Sequence, residues 1–102
     1  MQNAAMAEHG RSNADIARRL IALRDALGFD GPAAFARHIG ILPQALNNYE
    51  RAYRRPDLDM AYKLKAHTGV TLDWLYEGDR SGLPLHVAKI IPDQTGGPAK
   101  RA

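Results

Sequence analysis

Between Phe35 and Pro56 the chain reads F-A-R-H-I-G-I-L-P-Q-A-L-N-N-Y-E-R-A-Y-R-R-P, and this stretch narrows the available folds more than any other. Phe35, Ala36 and Ile39 fall at helical spacing on an inward face, and Gly40 stops that helix after about two turns. Glycine supplies the left-handed backbone that lets a chain reverse after so short an element. Ile41 anchors the turn. Pro43 then opens another short helix running to about Arg51, since proline is accepted in a first helical turn. Leu46 and Tyr49 take its buried side, leaving Gln44, Ala45, Asn47, Asn48 and Arg51 outside. A basic loop, Arg54-Arg55, closes at Pro56.

The flanking sequence supplies elements of the same size. Ser12 and Asp15 form a capping box ahead of Ile16, Leu20, Leu23 and Leu27, one face of an amphipathic helix that ends at Gly28. Asp30-Gly31-Pro32 acts as a stop and restart, opening a second helix over 32–39. Leu58, Ala61, Leu64 and Lys65 outline a fourth helix ending before Gly69. Thr71 caps a fifth, containing Leu72, Trp74 and Leu75, that stops at Gly78. Leu83 to Ile91 is apolar enough for a sixth short helix with Pro84 in its first turn. Asp57, Asp59 and Asp73 sit at or near helix starts, where negative charge complements the exposed amides. No strand alternation persists, so the predicted class is all-α: a compact set of five short helices crossing at steep angles, with a sixth at the C-terminal side.

This divides the chain into a flexible arm over 1–11, a helical domain over 12–80, an extension over 81–91 and a basic tail over 92–102. A length of 102 residues with 45% hydrophobic content suits one small domain. The formal charge of +3 suits a polyanionic partner but is weak evidence alone. There is no cysteine, which removes disulfides, zinc-thiolate sites and thiol catalysis together. No signal peptide or membrane-length apolar run is present, so a cytoplasmic, nucleoid-associated protein without membrane contact is expected. His9, His38, His67 and His86 lack the spacing that puts two on one helical face and are expected as surface residues, not metal ligands. Ser12 and Ser81 have no neighbouring base, and no carboxylate pair suggests catalysis. The expectation is a non-enzyme without cofactor or metal.

The amide-rich helix has a direct physical use. Two helices joined by a tight turn can push the second into the major groove of DNA. Residues 19 to 78 resemble the XRE family of helix-turn-helix regulators, which includes the Cro and lambdoid phage repressor DNA-binding domains. The resemblance rests on Arg19-Leu20-x-x-Leu23-Arg24, Gly28-Phe29, Phe35-Ala36-x-x-Ile39-Gly40-Ile41, Leu46-x-x-Tyr49-Glu50-Arg51, the basic residues before Pro56, and Gly69-Val70-Thr71-Leu72-Asp73-Trp74-Leu75. Agreement of several separate segments in order and spacing is more specific than one short motif. The implied fold is a lambda-repressor-like domain with helices 2 and 3 as the helix-turn-helix.

The resemblance implies that Pro43, Gln44, Ala45, Asn47 and Asn48 meet base edges, and that Arg37, Arg51, Tyr53, Arg54 and Arg55 flank the DNA backbone. Gln44 and Asn48 point the same way and carry the paired donor and acceptor that fit adenine N6 and N7. Glu50 is implied to be structural, paired with an arginine such as Arg24. Two departures stand out. The usual Thr-Gln opening of helix 2 is replaced by Asp30-Gly31-Pro32, and the usual hydroxyl cap of the recognition helix by Leu42 before Pro43. An apolar first position suits a thymine methyl group.

The expected function is a sequence-specific DNA-binding transcriptional regulator, a repressor bound to a palindromic operator as a homodimer, with dimer contacts from helix 5 and Leu83 to Ile91. The alternative is an antitoxin-like or anti-regulator protein whose main role is binding a partner protein, DNA binding serving autoregulation. The 83–91 segment would carry that partner surface.

Overall fold

In the computed structural model, which describes residues 10–92, Ser12 caps α1 (Asn13–Ala26) with the expected box. The Asp15 amide donates to Ser12 Oγ at 3.0 Å, and the Asp15 carboxylate accepts from Ser12 Oγ at 2.8 Å. Burial pushes the Asp15 pKa up, but the Ser12 hydrogen bonds and the charges of Arg18 and Arg19 outweigh it and hold the carboxyl below its ordinary range. Gly31, extended, precedes α2 (Pro32–Ile39), and Leu42 precedes α3 (Pro43–Glu50) with Arg51 as its C-cap. Asp57 caps α4 (Leu58–Thr68) by accepting from the Met60 amide at 2.9 Å. Thr71 caps α5 (Leu72–Glu77) by accepting from the Trp74 amide at 2.9 Å, and a single turn, α6 (Leu85–Ala88), closes the described span. The described residues contain helices and no strand.

The two helices of the motif end in the same way. After α2, the Ile41 amide donates to the Ala36 carbonyl and the Gly40 amide to Arg37, with Gly40 at φ 83. After α3, the Tyr53 amide donates to Asn48 and the Ala52 amide to Tyr49, with Ala52 at φ 65. Both are Schellman closures, which need one residue in the left-handed region. Alanine occupies that position in the second, the one positive-φ non-glycine residue among those described.

α1 packs against α3 and α5, α2 against α3 and α4, and α4 against α5, so α3 is held from two sides with its outer face free. Ile16, Leu20, Leu23, Phe35, Ile39, Leu46, Leu64 and Leu75 are fully buried at the centre, joined by Tyr49 and Trp74. Arg19 is also buried, at 5% exposure. Its guanidinium donates to the Leu75 carbonyl at 2.7 Å and to the Gly10 carbonyl, near the C-terminal end of α5, where a cation is favoured.

Three expectations need correction. The sixth helix spans four residues and not Leu83 to Ile91, and Pro84 is its N-cap, at φ −60 and ψ 147, outside the helical turn. Leu83, Val87 and Ile91 are nevertheless buried in the same core as α1 to α5, so the 81–91 segment is packed onto the domain. On α4, Leu58 is 57% exposed and Met60 takes the inward place. Leu58 directly follows the Asp57 cap, and the helical phase that buries Ala61 and Leu64 carries it outward. Ala45 is half-buried against the core and only partly outward. The expected arm falls mostly on 1–9 and the tail on 93–102, outside the described residues, but Gly10 and Arg11 are inside and hydrogen-bonded.

Candidate nucleic-acid interface

The outer face of α3 follows from its helical phase. Burial of Leu46 and Tyr49 turns Pro43 and Gln44 fully outward and leaves Asn47 and Asn48 half-exposed on the same side. Gln44 Nε2 lies 3.4 Å from Asn48 Oδ1, a long hydrogen bond that aligns the two amides along one side of the helix. Side-chain amides present a donor and an acceptor together, the pattern displayed by adenine in the major groove.

The helix is anchored by charge as well as by packing. Arg24, in the last turn of α1, donates from Nε to Glu50 Oε2 at 2.9 Å and from Nη2 to Glu50 Oε1 at 3.0 Å. The Glu50 side chain is 7% exposed, so its carboxylate is turned away from the outer face. The hydrogen bonds to Glu50 raise the Arg24 pKa against the opposing effect of burial. Glu50 thus takes the structural role that the resemblance implies.

Beyond α3 the Schellman closure aims the basic loop. Arg51 stands over the Tyr53 ring at 5.1 Å from its centroid, a cation–π contact between two exposed side chains. Arg54 and Arg55 are exposed, and Arg55 Nη2 donates to the Arg11 carbonyl at 2.8 Å. The loop is fixed at its far end by Pro56, which is buried and accepts from the Tyr76 hydroxyl at 2.7 Å. Burial, with Asp57 next, pushes the Tyr76 and Tyr49 phenols up, so both stay neutral, Tyr76 as the donor to Pro56. Arg37 is exposed in the last turn of α2. Among the described residues none of Arg37, Arg51, Arg54 and Arg55 is in an ion pair.

Three features escape sequence spacing. Arg11 joins the basic loop through a bond across 44 positions, which no local pattern encodes. Ala52 takes a backbone conformation that the sequence would mark only with glycine or asparagine. His38 and His67 are exposed as expected, but α2 and α4 bring their rings to 5.7 Å. No group of three or more potential metal ligands occurs among the described residues.

A short helix, a glycine turn and a second helix with an amide-rich outer face flanked by exposed guanidinium groups define a helix-turn-helix DNA-binding domain. The Helix-turn-helix family model matches residues 20–75, more than half of the chain. The chain belongs to this family, the XRE-type helix-turn-helix proteins, and is a DNA-binding transcription regulator. No curated protein matches, and no solved structure does. Among the described residues no helix is long and apolar enough to cross a membrane.

Proposed function

We propose that the protein is a repressor that binds a palindromic operator as a homodimer, with α3 in the major groove of each half-site. In this reading Gln44 and Asn48 read adenine edges, with Pro43, Ala45 and Asn47 beside them. Arg37, Arg51, Tyr53, Arg54 and Arg55 hold phosphates. One observation carries it: the aligned amides of Gln44 and Asn48 are followed by a loop of exposed arginines that are in no ion pair among the described residues. Phosphate contacts position a protein and base contacts specify the site, and the two residue classes are separated here along one element and its loop.

A domain of this size covers few base pairs, and a two-fold dimer doubles the site, placing recognition helices about 34 Å apart. Leu85, 72% exposed, and Ile90, 44% exposed, offer apolar surface for the second copy. The antitoxin-like alternative draws on the same segment, but burial of Leu83, Val87 and Ile91 in the chain's own core leaves it a smaller surface. Occupancy of an operator then represses by excluding other proteins from that DNA.

Selection of bound duplexes from a random library tests this reading. An inverted repeat with half-site centres about 10 base pairs apart is expected. A single unrepeated half-site would refute the dimer, and no enriched sequence would refute site-specific regulation.

A further inference from the structure

The start of the described chain is held at two consecutive carbonyls. Arg19, buried between α1 and α5, donates to the Gly10 carbonyl, and Gly10 lies against the chain at Glu77. The next carbonyl, Arg11, accepts from Arg55 Nη2 at 2.8 Å. One tether therefore comes from the core and the other from the basic loop that follows α3. Their joint effect is to fix the backbone of Arg11 beside Arg55. The Arg11 side chain is exposed and in no ion pair among the described residues, and it springs from a backbone whose carbonyl meets the tip of the Arg55 side chain.

Bringing another guanidinium to an already cationic loop is unfavourable in the free protein. It becomes favourable against a row of phosphates, each of which releases counterions when neutralised. Arg55 has further N–H donors beyond the one given to Arg11, so it can bond a backbone carbonyl and a phosphate oxygen together. We infer that Arg11 is a further DNA-backbone contact, and that Arg55, besides its own phosphate contact, is the positioning residue that holds Arg11 at the DNA. The inference rests on the DNA reading above. It adds a segment preceding α1 to an interface otherwise built from α2, α3 and the loop.

The test is the salt dependence of binding to a fixed duplex by the full chain. Each lost phosphate contact lowers the slope of log affinity against log salt by about 0.9. Arg11→Ala is expected to lower it by about 0.9 and Arg11→Lys to leave most of it in place. Because Arg55 holds Arg11, Arg55→Ala alone is expected to lower the slope by about 1.8, and the double variant by no more than that. A slope unchanged in Arg11→Ala overturns the contact. Strict additivity, with about 0.9 for each single variant, overturns the positioning role. If the wild type shows no salt-dependent binding to any duplex, the DNA reading itself fails, an outcome distinct from both. Thermal unfolding of each variant, expected within a few degrees of wild type for these exposed side chains, separates lost contact from lost fold.

Discussion

The Arg24 guanidinium grips the Glu50 carboxylate through two hydrogen bonds, at 2.9 and 3.0 Å, tying the last turn of α1 to the last residue of α3. Both side chains are largely shielded, at 13% and 7% exposure. A carboxylate at a helix C-terminus opposes the helix dipole, so Glu50 depends on its partner, whereas Arg24 is well placed at the end of its own helix. Removing Glu50 leaves the shielded Arg24 guanidinium only the exposed Asp25 carboxylate, 3.6 Å away, in place of two short hydrogen bonds. Glu50→Ala is therefore expected to lower the unfolding free energy by about 3 kcal/mol in denaturant titration. Arg24→Met with Glu50→Leu should recover much of that loss, since an apolar pair strands no charge. Equal instability of the single and double variants would show that the pair is not what holds α3.

The paired helix ends give a second prediction with opposite signs. Gly40 and Ala52 occupy equivalent positions in two Schellman closures, at φ 83 and φ 65. A side chain is penalised in that region by about 1 kcal/mol. No atom outside its neighbours lies within 4 Å of a Cβ built on Gly40, so Gly40→Ala should lose only that strain. Ala52→Gly should gain up to about 0.5 kcal/mol, the rest of the relief being offset by glycine's freedom in the unfolded chain. Thermal unfolding of the two variants, side by side, reads both signs; a destabilised Ala52→Gly contradicts the strain at Ala52.

Substitution of Leu42 tests stability and recognition separately. Leu42 is the N-cap of α3, makes no capping hydrogen bond and is 74% exposed. Its backbone, at φ −71 and ψ 140, already suits a capping residue. Leu42→Ser should therefore supply the missing acceptor and raise stability by about 1 kcal/mol. If the exposed leucine reads a thymine methyl, the same variant binds the selected duplex more weakly despite its greater stability. A rise in both would assign Leu42 no part in recognition.

Most of the fold is legible in the sequence because its signals are local. Ser12 with Asp15, Thr71, Gly40 and Gly78 each act within one helical turn, and the observed boundaries of α1, α2 and α5 follow them closely. Where tertiary phase decides, local reading fails. Leu58 looks like a core residue until the rotation of α4 assigns that place to Met60, and Pro84 caps α6 because Leu83 and Val87 are drawn into the core on either side of it. The candidate interface divides in the same way. Gln44 and Asn48 share a helix face by spacing alone, whereas the bond from Arg55 to Arg11 and the approach of His38 to His67 join distant segments and leave no trace in composition or period.

The central claim is that α3 reads base edges through Gln44 while the loop arginines hold the backbone. Titration of wild type and Gln44→Ala against the selected duplex and a scrambled duplex, at one salt concentration, tests it directly. The account predicts a loss of roughly 5- to 150-fold on the selected duplex, equivalent to about 1 to 3 kcal/mol, with affinity for the scrambled duplex unchanged. An equal loss on both duplexes would contradict it.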